Sequence, residues 1–266
     1  MRLKYVIAAC LLVIVVAGCK KTDDGIISTY DTDMTNNAML KINIASIYRS
    51  NPSMRIKIND QIVSGLLTAR TPFPGGGYNT GGDNVGTYLA VPGNRSPVKV
   101  SLMIPFVGDT SRWAQDSISL YETSIEVSNG KYYSLHIADT ASKTKSVLFE
   151  ENLALPTDTL PYFRFVNLIP NIAGDGLDLY FGDSLLATGI KYLESSNEFA
   201  VNPRQASTAW TVRQTGLPAS APAIATYTSG NTYIRGRKYT AFAMGYFGLS
   251  GTTEPRRPFI SFYYIR

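Results

Sequence analysis

From residue 38 onward, apolar and polar positions alternate along the chain with a period of two. Leu40, Ile42 and Ile44 are separated by Lys41 and Asn43, and Met54, Ile56 and Ile58 by Arg55 and Lys57. Val98, Val100, Leu102 and Ile104 follow the same rule. Tyr133, Leu135 and Ile137 alternate with Ser134 and His136, and Leu177, Leu179 and Phe181 with Asp178 and Tyr180. Successive side chains of a strand point to opposite faces, so each set predicts a half-buried strand with one dry face. Turn-forming residues fall between the sets, at Asn51-Pro52-Ser53, Asn59-Asp60, Pro92-Gly93-Asn94, Asn129-Gly130, Gly182-Asp183 and Ser229-Gly230-Asn231. No amphipathic helical period runs for ten residues or more. Many short strands with regular turns predict an all-β, sandwich-type architecture.

The pattern also repeats. Arg55 to Gly65 matches Asp178 to Gly189 with one residue inserted, each reading as strand, two-residue turn, strand and glycine. Tyr88 to Pro92 answers Glu198 to Pro203, Val98 to Leu102 answers Ala209 to Arg213, and Gly130 to Leu135 answers Gly236 to Phe242. Four matches in one order predict a tandem duplication. The two units are expected at residues 38–155 and 161–266, joined by the proline-bounded segment Pro156-Thr-Asp-Thr-Leu-Pro161. So short and stiff a linker limits relative motion.

The alternation does not extend to the N-terminus. There, Met-Arg-Leu-Lys gives a short basic start and Tyr5 to Gly18 is apolar. Val16-Ala17-Gly18-Cys19 then closes the segment with small residues before a cysteine. These are the three regions of a secretory signal peptide. The closing residues resemble a bacterial lipobox, which implies cleavage after residue 18 and diacylation of Cys19. The apolar stretch is 14 residues long, whereas a membrane-spanning helix needs about 20. Lipid is therefore the expected anchor, and two or three acyl chains hold a protein on a membrane far better than one. Residues 19–37 then read as a flexible tether, polar and without periodicity between Thr22 and Asn37. The Lys20-Lys21-Thr22-Asp23-Asp24 start resembles the lysine-plus-acidic signals that send Bacteroidetes-type lipoproteins to the cell surface. Localisation at the outer membrane, exposed to the exterior, is what that resemblance implies.

Charge and cysteine usage narrow the function classes. Removing residues 1–18 takes away Arg2, Lys4 and no acid, so the net charge drops from +5 to +3. The basic clusters, Arg235-Gly236-Arg237-Lys238 and Arg256-Arg257, are too small for the concentrated stripe of a nucleic-acid reader. They read as charges that solvate strand ends. Cys10 leaves with the signal peptide and Cys19 takes the lipid, so the processed chain has no disulfide, cysteine nucleophile or thiolate metal site. Stability has to come from apolar burial.

The segment Tyr162-Phe-Arg-Phe-Val-Asn-Leu-Ile-Pro170, followed by Gly176-Leu-Asp-Leu-Tyr-Phe-Gly182 and Leu185 to Gly189, resembles the opening of the domain of unknown function 4397. The strand start at Gly236 to Tyr239 fits the same family. In the first unit Lys41-Ile-Asn-Ile replaces the strand opening and Asn51-Pro52 reverses the turn. The resemblance implies tandem extracellular β-sandwiches, immunoglobulin- or transthyretin-like, on a surface lipoprotein. It carries no catalytic residues to transfer.

Candidate chemistry is sparse. His136, the only histidine, falls on a strand face with Ser134, and no Gly-x-Ser-x-Gly elbow supplies a nucleophile for it. It reads as a sheet-face residue. One histidine and no free cysteine supply zinc poorly, and Asp175, Asp178 and Asp183 are spaced as turn aspartates rather than as a calcium loop. No metal and no cofactor is called for. Gly75 to Asp83 is glycine-rich, but no Gly-Lys-Ser/Thr follows it, so it reads as a mobile loop between strands. Trp113 stands in the polar stretch Gly108 to Asp116. An exposed loop tryptophan can stack on a sugar ring, the alternative being that Trp113 folds back over the end of the sandwich, whereas Trp210, on an alternating strand, reads as core. The C-terminal Phe259 to Ile265 is apolar on both faces, which suits an inner strand or a contact between the two units.

These features predict a lipid-anchored surface module for binding or adhesion, not an enzyme. Its partners are the membrane, through lipid, and an extracellular glycan, matrix component or surface protein, with ligand contacts at the loops around Tyr78 and Trp113. The equivalent 217–231 loop is the lesser candidate. The alternative is a structural spacer or a subunit of a surface assembly.

Overall fold

The computed structural model describes residues 34–266 apart from 82–85, 95, 106–116, 203, 205–207 and 229–233. Cys19, the expected signal peptide, all but the end of the expected tether, and Trp113 lie outside the described residues. Folded chain begins before residue 38, inside the segment expected as tether. The Thr35 carbonyl accepts a bond from Asn129 (2.8 Å), and strand β1 begins at Asn37.

The protein is all-β: its described helical structure is one short turn at Ala141–Lys143, and its described strands form four separate sheets. In the first half, the inner sheet contains β1 (Asn37–Ala45), β4 (Pro72–Phe73), β5 (Leu89–Pro92), β8 (Tyr132–Ala138) and β9 (Lys145–Glu151). Its outer sheet has the order β3-β2-β6-β7, with β2 at Arg55–Ile58, β3 at Gln61–Ile62, β6 at Val98–Pro105 and β7 at Ser117–Ile125. The second half repeats this plan. Its inner sheet has the order β13-β10-β16-β17, with β10 at Tyr162–Leu168, β13 at Phe199–Ala200, β16 at Lys238–Met244 and β17 at Phe259–Tyr264. Its outer sheet has the order β12-β11-β14-β15, with β11 at Leu177–Phe181, β12 at Ser184–Ile190, β14 at Ala209–Gln214 and β15 at Ala225–Thr228.

The duplication extends to hydrogen bonds. Each half has a parallel pair at its centre, β1 with β8 and β10 with β16. Met39 N donates to Lys131 O and Tyr162 N to Arg237 O, both at 2.9 Å, each just after a glycine with positive φ, Gly130 (76°) and Gly236 (67°). The β2–β3 and β11–β12 hairpins turn at the same place, with Ile58 opposite Gln61 and Phe181 opposite Ser184. The β11–β12 pair shifts register twice, between Leu177 and Leu179 and between Leu179 and Tyr180, which accommodates the longer second segment. One sequence match requires correction. Ile58 pairs with Val100 and Phe181 with Trp210, so Val100 corresponds to Trp210 rather than to Thr211. Apolar side chains must face inward in both halves, which puts Trp210 and Val212 where Val100 and Leu102 stand.

A one-dry-face reading fails for the inner strands. Leu40, Ile42, Leu135 and Ile137 share a core with Ile56, Val100 and Leu102 of their own outer sheet. The alternate residues Lys41, Asn43, Ser134 and His136 are also buried. They face the second half, whose β10, β16 and β17 are themselves apolar in both directions. Phe163, Phe165, Tyr239 and Phe262 pack with Trp210 of the second outer sheet, while Val166, Phe242, Met244 and Tyr263 join the first half's core. The layers therefore run outer, inner, inner, outer, and the chain from Thr32 onward forms one compact unit. The expectation for the C-terminal segment holds: every residue of β17 is buried.

Candidate functional site

The seam between the two inner sheets concentrates the polar chemistry of the core. Strand β1 supplies Lys41 and Asn43, β8 supplies His136, β9 supplies Glu151, and from the second half come Arg164 on β10 and Tyr263 on β17. The Lys41 ammonium donates to the Tyr264 carbonyl at 2.6 Å and lies 5.0 and 5.4 Å from the ring centres of Tyr88 and Tyr263. Burial lowers its pKa to about 7, against a partial upward pull from Glu151. His136 has its Nδ1 3.0 Å from Asn43 Nδ2 and its Nε2 2.8 Å from the Tyr263 hydroxyl. Burial, assisted by the Arg164 charge, pushes it down to about 3, so the ring is neutral. Arg164 donates to Glu151 in an ion pair whose side chains are 14% and 3% exposed. The guanidinium also lies over the Phe149 ring. A base without access to solvent or substrate has nothing to deprotonate, so these groups act as the joint between the halves.

The glycine-rich stretch and Tyr78 require a correction. Tyr78 N donates to Phe262 O (2.7 Å) and Phe262 N to Tyr78 O (3.1 Å), which adds a rung to the outer edge of β17. A Cβ on Gly77 would lie 2.4 Å from the Phe262 carbonyl, so only glycine permits this approach. The Tyr78 side chain is 9% exposed, hydrogen-bonded to the Tyr264 hydroxyl and 6.1 Å from the Tyr239 ring centre. Burial and Tyr264 push its pKa up to about 12. Gly75 to Tyr78 is thus a strap between the halves, and Tyr78 does not present an aromatic face to a ligand. Trp113, the other expected contact, lies outside the described residues. Trp210 is fully buried against Phe163, Phe181 and Phe262, as its place on an alternating strand implies.

Asp178 is a structural carboxylate. Its Oδ1 accepts from Thr188 Oγ1, Gly189 N and Thr215 Oγ1 at 2.8 to 2.9 Å, and its Oδ2 from Gly216 N at 3.1 Å. These donors hold its pKa below the usual carboxylate value although burial pulls the other way. Among the described residues, no three His, Cys, Asp or Glu side chains gather as metal ligands.

Polar groups converge and remain open to solvent at a cleft of about 660 Å³. It forms where the β1–β2 connection, the turn before β4, the end of the glycine strap and the β16–β17 hairpin meet. Arg70 donates from Nη2 to Pro255 O (3.0 Å), with its guanidinium carbon 3.7 Å from the Phe259 ring centre. Arg257 donates from Nη1 to Thr252 O (2.8 Å) and lines the same cleft. Burial and the Arg257 charge both push the Arg70 pKa down. Glu254, in the same hairpin, gives its two oxygens to Arg256 at 2.8 and 3.0 Å. The pair Arg256-Arg257 therefore divides: one arginine is neutralised locally and the other faces the cleft. Nothing in the local sequence marks Arg70, which reaches the site through a turn that the period-two pattern does not describe.

Among the described residues no helix is long and apolar enough to cross a membrane. Compared with known proteins, the chain matches no family model and no curated sequence.

Proposed function

We propose that the chain is a lipid-anchored cell-surface module for binding or adhesion, without catalysis, attached to the outer membrane through Cys19. Its ligand is an extracellular glycan, matrix component or surface protein. The two halves are proposed to be tandem domains of the unknown-function family 4397 type on a Bacteroidetes-type surface lipoprotein. The observation that carries this reading is the separation of the polar groups. His136, Lys41 and Glu151, which could act as acid or base, are buried in the seam, while arginines, threonines and asparagines gather in a loop-built cleft open to solvent. Such a site is equipped to hold a polar ligand, and its described lining residues include no carboxylate or imidazole base to transform it. Trp113 keeps a proposed role as a loop aromatic that stacks on sugar.

A rigid spacer is the second reading, and the core shared by the two halves favours it. Cells displaying the full chain and cells displaying Cys19→Ser are to be compared on glycan and matrix-protein arrays, with protease added to intact cells. The expected outcome is adhesion and surface proteolysis for the parent, and loss of both with Cys19→Ser. No adhesion by a surface-displayed parent points to the spacer. Protease resistance until lysis rejects surface display.

A further inference from the structure

We propose that the cleft between Arg70 and Arg257 binds an acidic saccharide, a sugar bearing a carboxylate or sulfate, as the ligand of the binding module proposed above. Two guanidinium groups line one cleft whose described lining residues include no carboxylate. Each guanidinium has one terminal nitrogen committed to backbone carbonyls of the β16–β17 hairpin. That commitment fixes the planar groups in place and leaves other N–H donors available, and a fixed fork suits a planar carboxylate or a sulfate.

The rest of the lining argues for a sugar. Asn51, Thr68, Thr252 and Thr253 contribute amide and hydroxyl groups, so the cleft is a polar surface suited to a ligand rich in hydroxyls. Its volume of about 660 Å³ falls inside the range of small-molecule sites.

Two further features show that the arginine is placed at some cost. Arg70 has φ +75°, a left-handed conformation that is unfavourable for a long side chain. Its guanidinium also sits next to a like charge and is partly removed from water. A turn whose only task was to enter β4 would use glycine or asparagine, as at Asn51 and Asn79. An anion between the two arginines relieves the repulsion, and the strap and hairpin that build the cleft come from different halves. Ligand affinity therefore depends on the assembled molecule.

The full chain in detergent is titrated calorimetrically with oligogalacturonate, a sulfated oligosaccharide, neutral oligoglucose and inorganic sulfate. The expected result is weak, salt-sensitive binding of at least one acidic saccharide, no binding of oligoglucose, and at least tenfold weaker binding of inorganic sulfate. Arg70→Gln and Arg257→Gln should each weaken that binding at least tenfold, and Lys145→Gln, which removes an exposed charge elsewhere, should leave it unchanged. Should either arginine variant fail to fold, Thr253→Glu places a negative charge in the cleft from an exposed position and should abolish binding. Sulfate binding as tight as the saccharide, equal loss with Lys145→Gln, or undiminished binding by Thr253→Glu overturns the proposal. If neither acidic saccharide binds while another array ligand does, this cleft is rejected and the adhesion reading survives. A displayed chain that binds nothing on the arrays rejects both.

Discussion

At the scale of single residues, what distinguishes this protein is how it treats titratable groups in the seam. Lys41 has a pKa of about 7 in the fold against 10.5 in the unfolded chain. Between those values the unfolded chain holds a proton that the folded chain has released, so raising the pH through this window favours the fold. His136, at about 3 against 6.5, acts in the same sense at lower pH: stability is lost as the pH falls from 6.5 toward 3. Tyrosines work against the trend at the alkaline end. Tyr78 and Tyr263 are raised above 10.0, so the unfolded chain ionises first and stability declines once the pH passes that value. The melting temperature should therefore rise from pH 7 toward about 10 and then fall. Replacing Lys41 with Met, similar in length and uncharged, should remove most of the rise, which is on the order of a few kcal/mol across the window. Melting profiles of the two proteins with the same slope above pH 7 would count against this account of Lys41.

At the scale of elements, the glycine strap shows how an exposed strand edge is managed. Strand β17 ends the second inner sheet and would present free N–H and C=O groups, a template for aggregation. Gly75 to Tyr78 covers part of it with one antiparallel rung. Gly77→Ala forces its Cβ against the Phe262 carbonyl and should break both bonds of that rung, costing about 2 kcal/mol or more. Gly81→Ala is the comparison. Gly81 has positive φ but open space around its Cβ site, so only the backbone conformation resists, at about 1 kcal/mol. Urea midpoints that fall equally for the two variants would show that the strap contributes nothing beyond local strain. The period-two pattern found the long strands β1, β6, β8 and β11 because they follow it. It could not find the strap, whose partner lies 184 residues away along the chain.

At the scale of the whole molecule, the duplicated halves are two copies of one plan that share a core. Val166, Phe242, Met244 and Tyr263 belong to the same apolar cluster as Leu40, Ile42 and Leu135. Separating the halves would expose that surface together with Lys41, His136 and Glu151, each stripped of partners supplied by the other half. Breaking one buried charge pair such as Arg164–Glu151 costs about 3–5 kcal/mol by itself. Calorimetry of the full chain should show one transition spanning both halves, with a calorimetric enthalpy equal to the van't Hoff value. Two resolved transitions, or a stable and monomeric first half ending at the 156–161 join, would mean that the seam is a contact between independent domains.

The sequence by itself determined the strand period, the turns and the duplication, because each is written in neighbouring residues and needs no partner to be recognised. Trp210 as core and the double-sided burial of β17 were legible for the same reason. What faces each strand was decided only by the tertiary structure. Lys41, Asn43, Ser134 and His136 stand at alternate positions that look like a solvated face, and become interior because a second sheet covers them. Tyr78 reads as a loop aromatic and becomes a buried contact because its backbone pairs with Phe262. Arg70 and Arg257 are 187 residues apart in the chain and converge only when the two halves close on each other. Burial and convergence depend on long-range contacts, which a local pattern of polar and apolar residues does not encode.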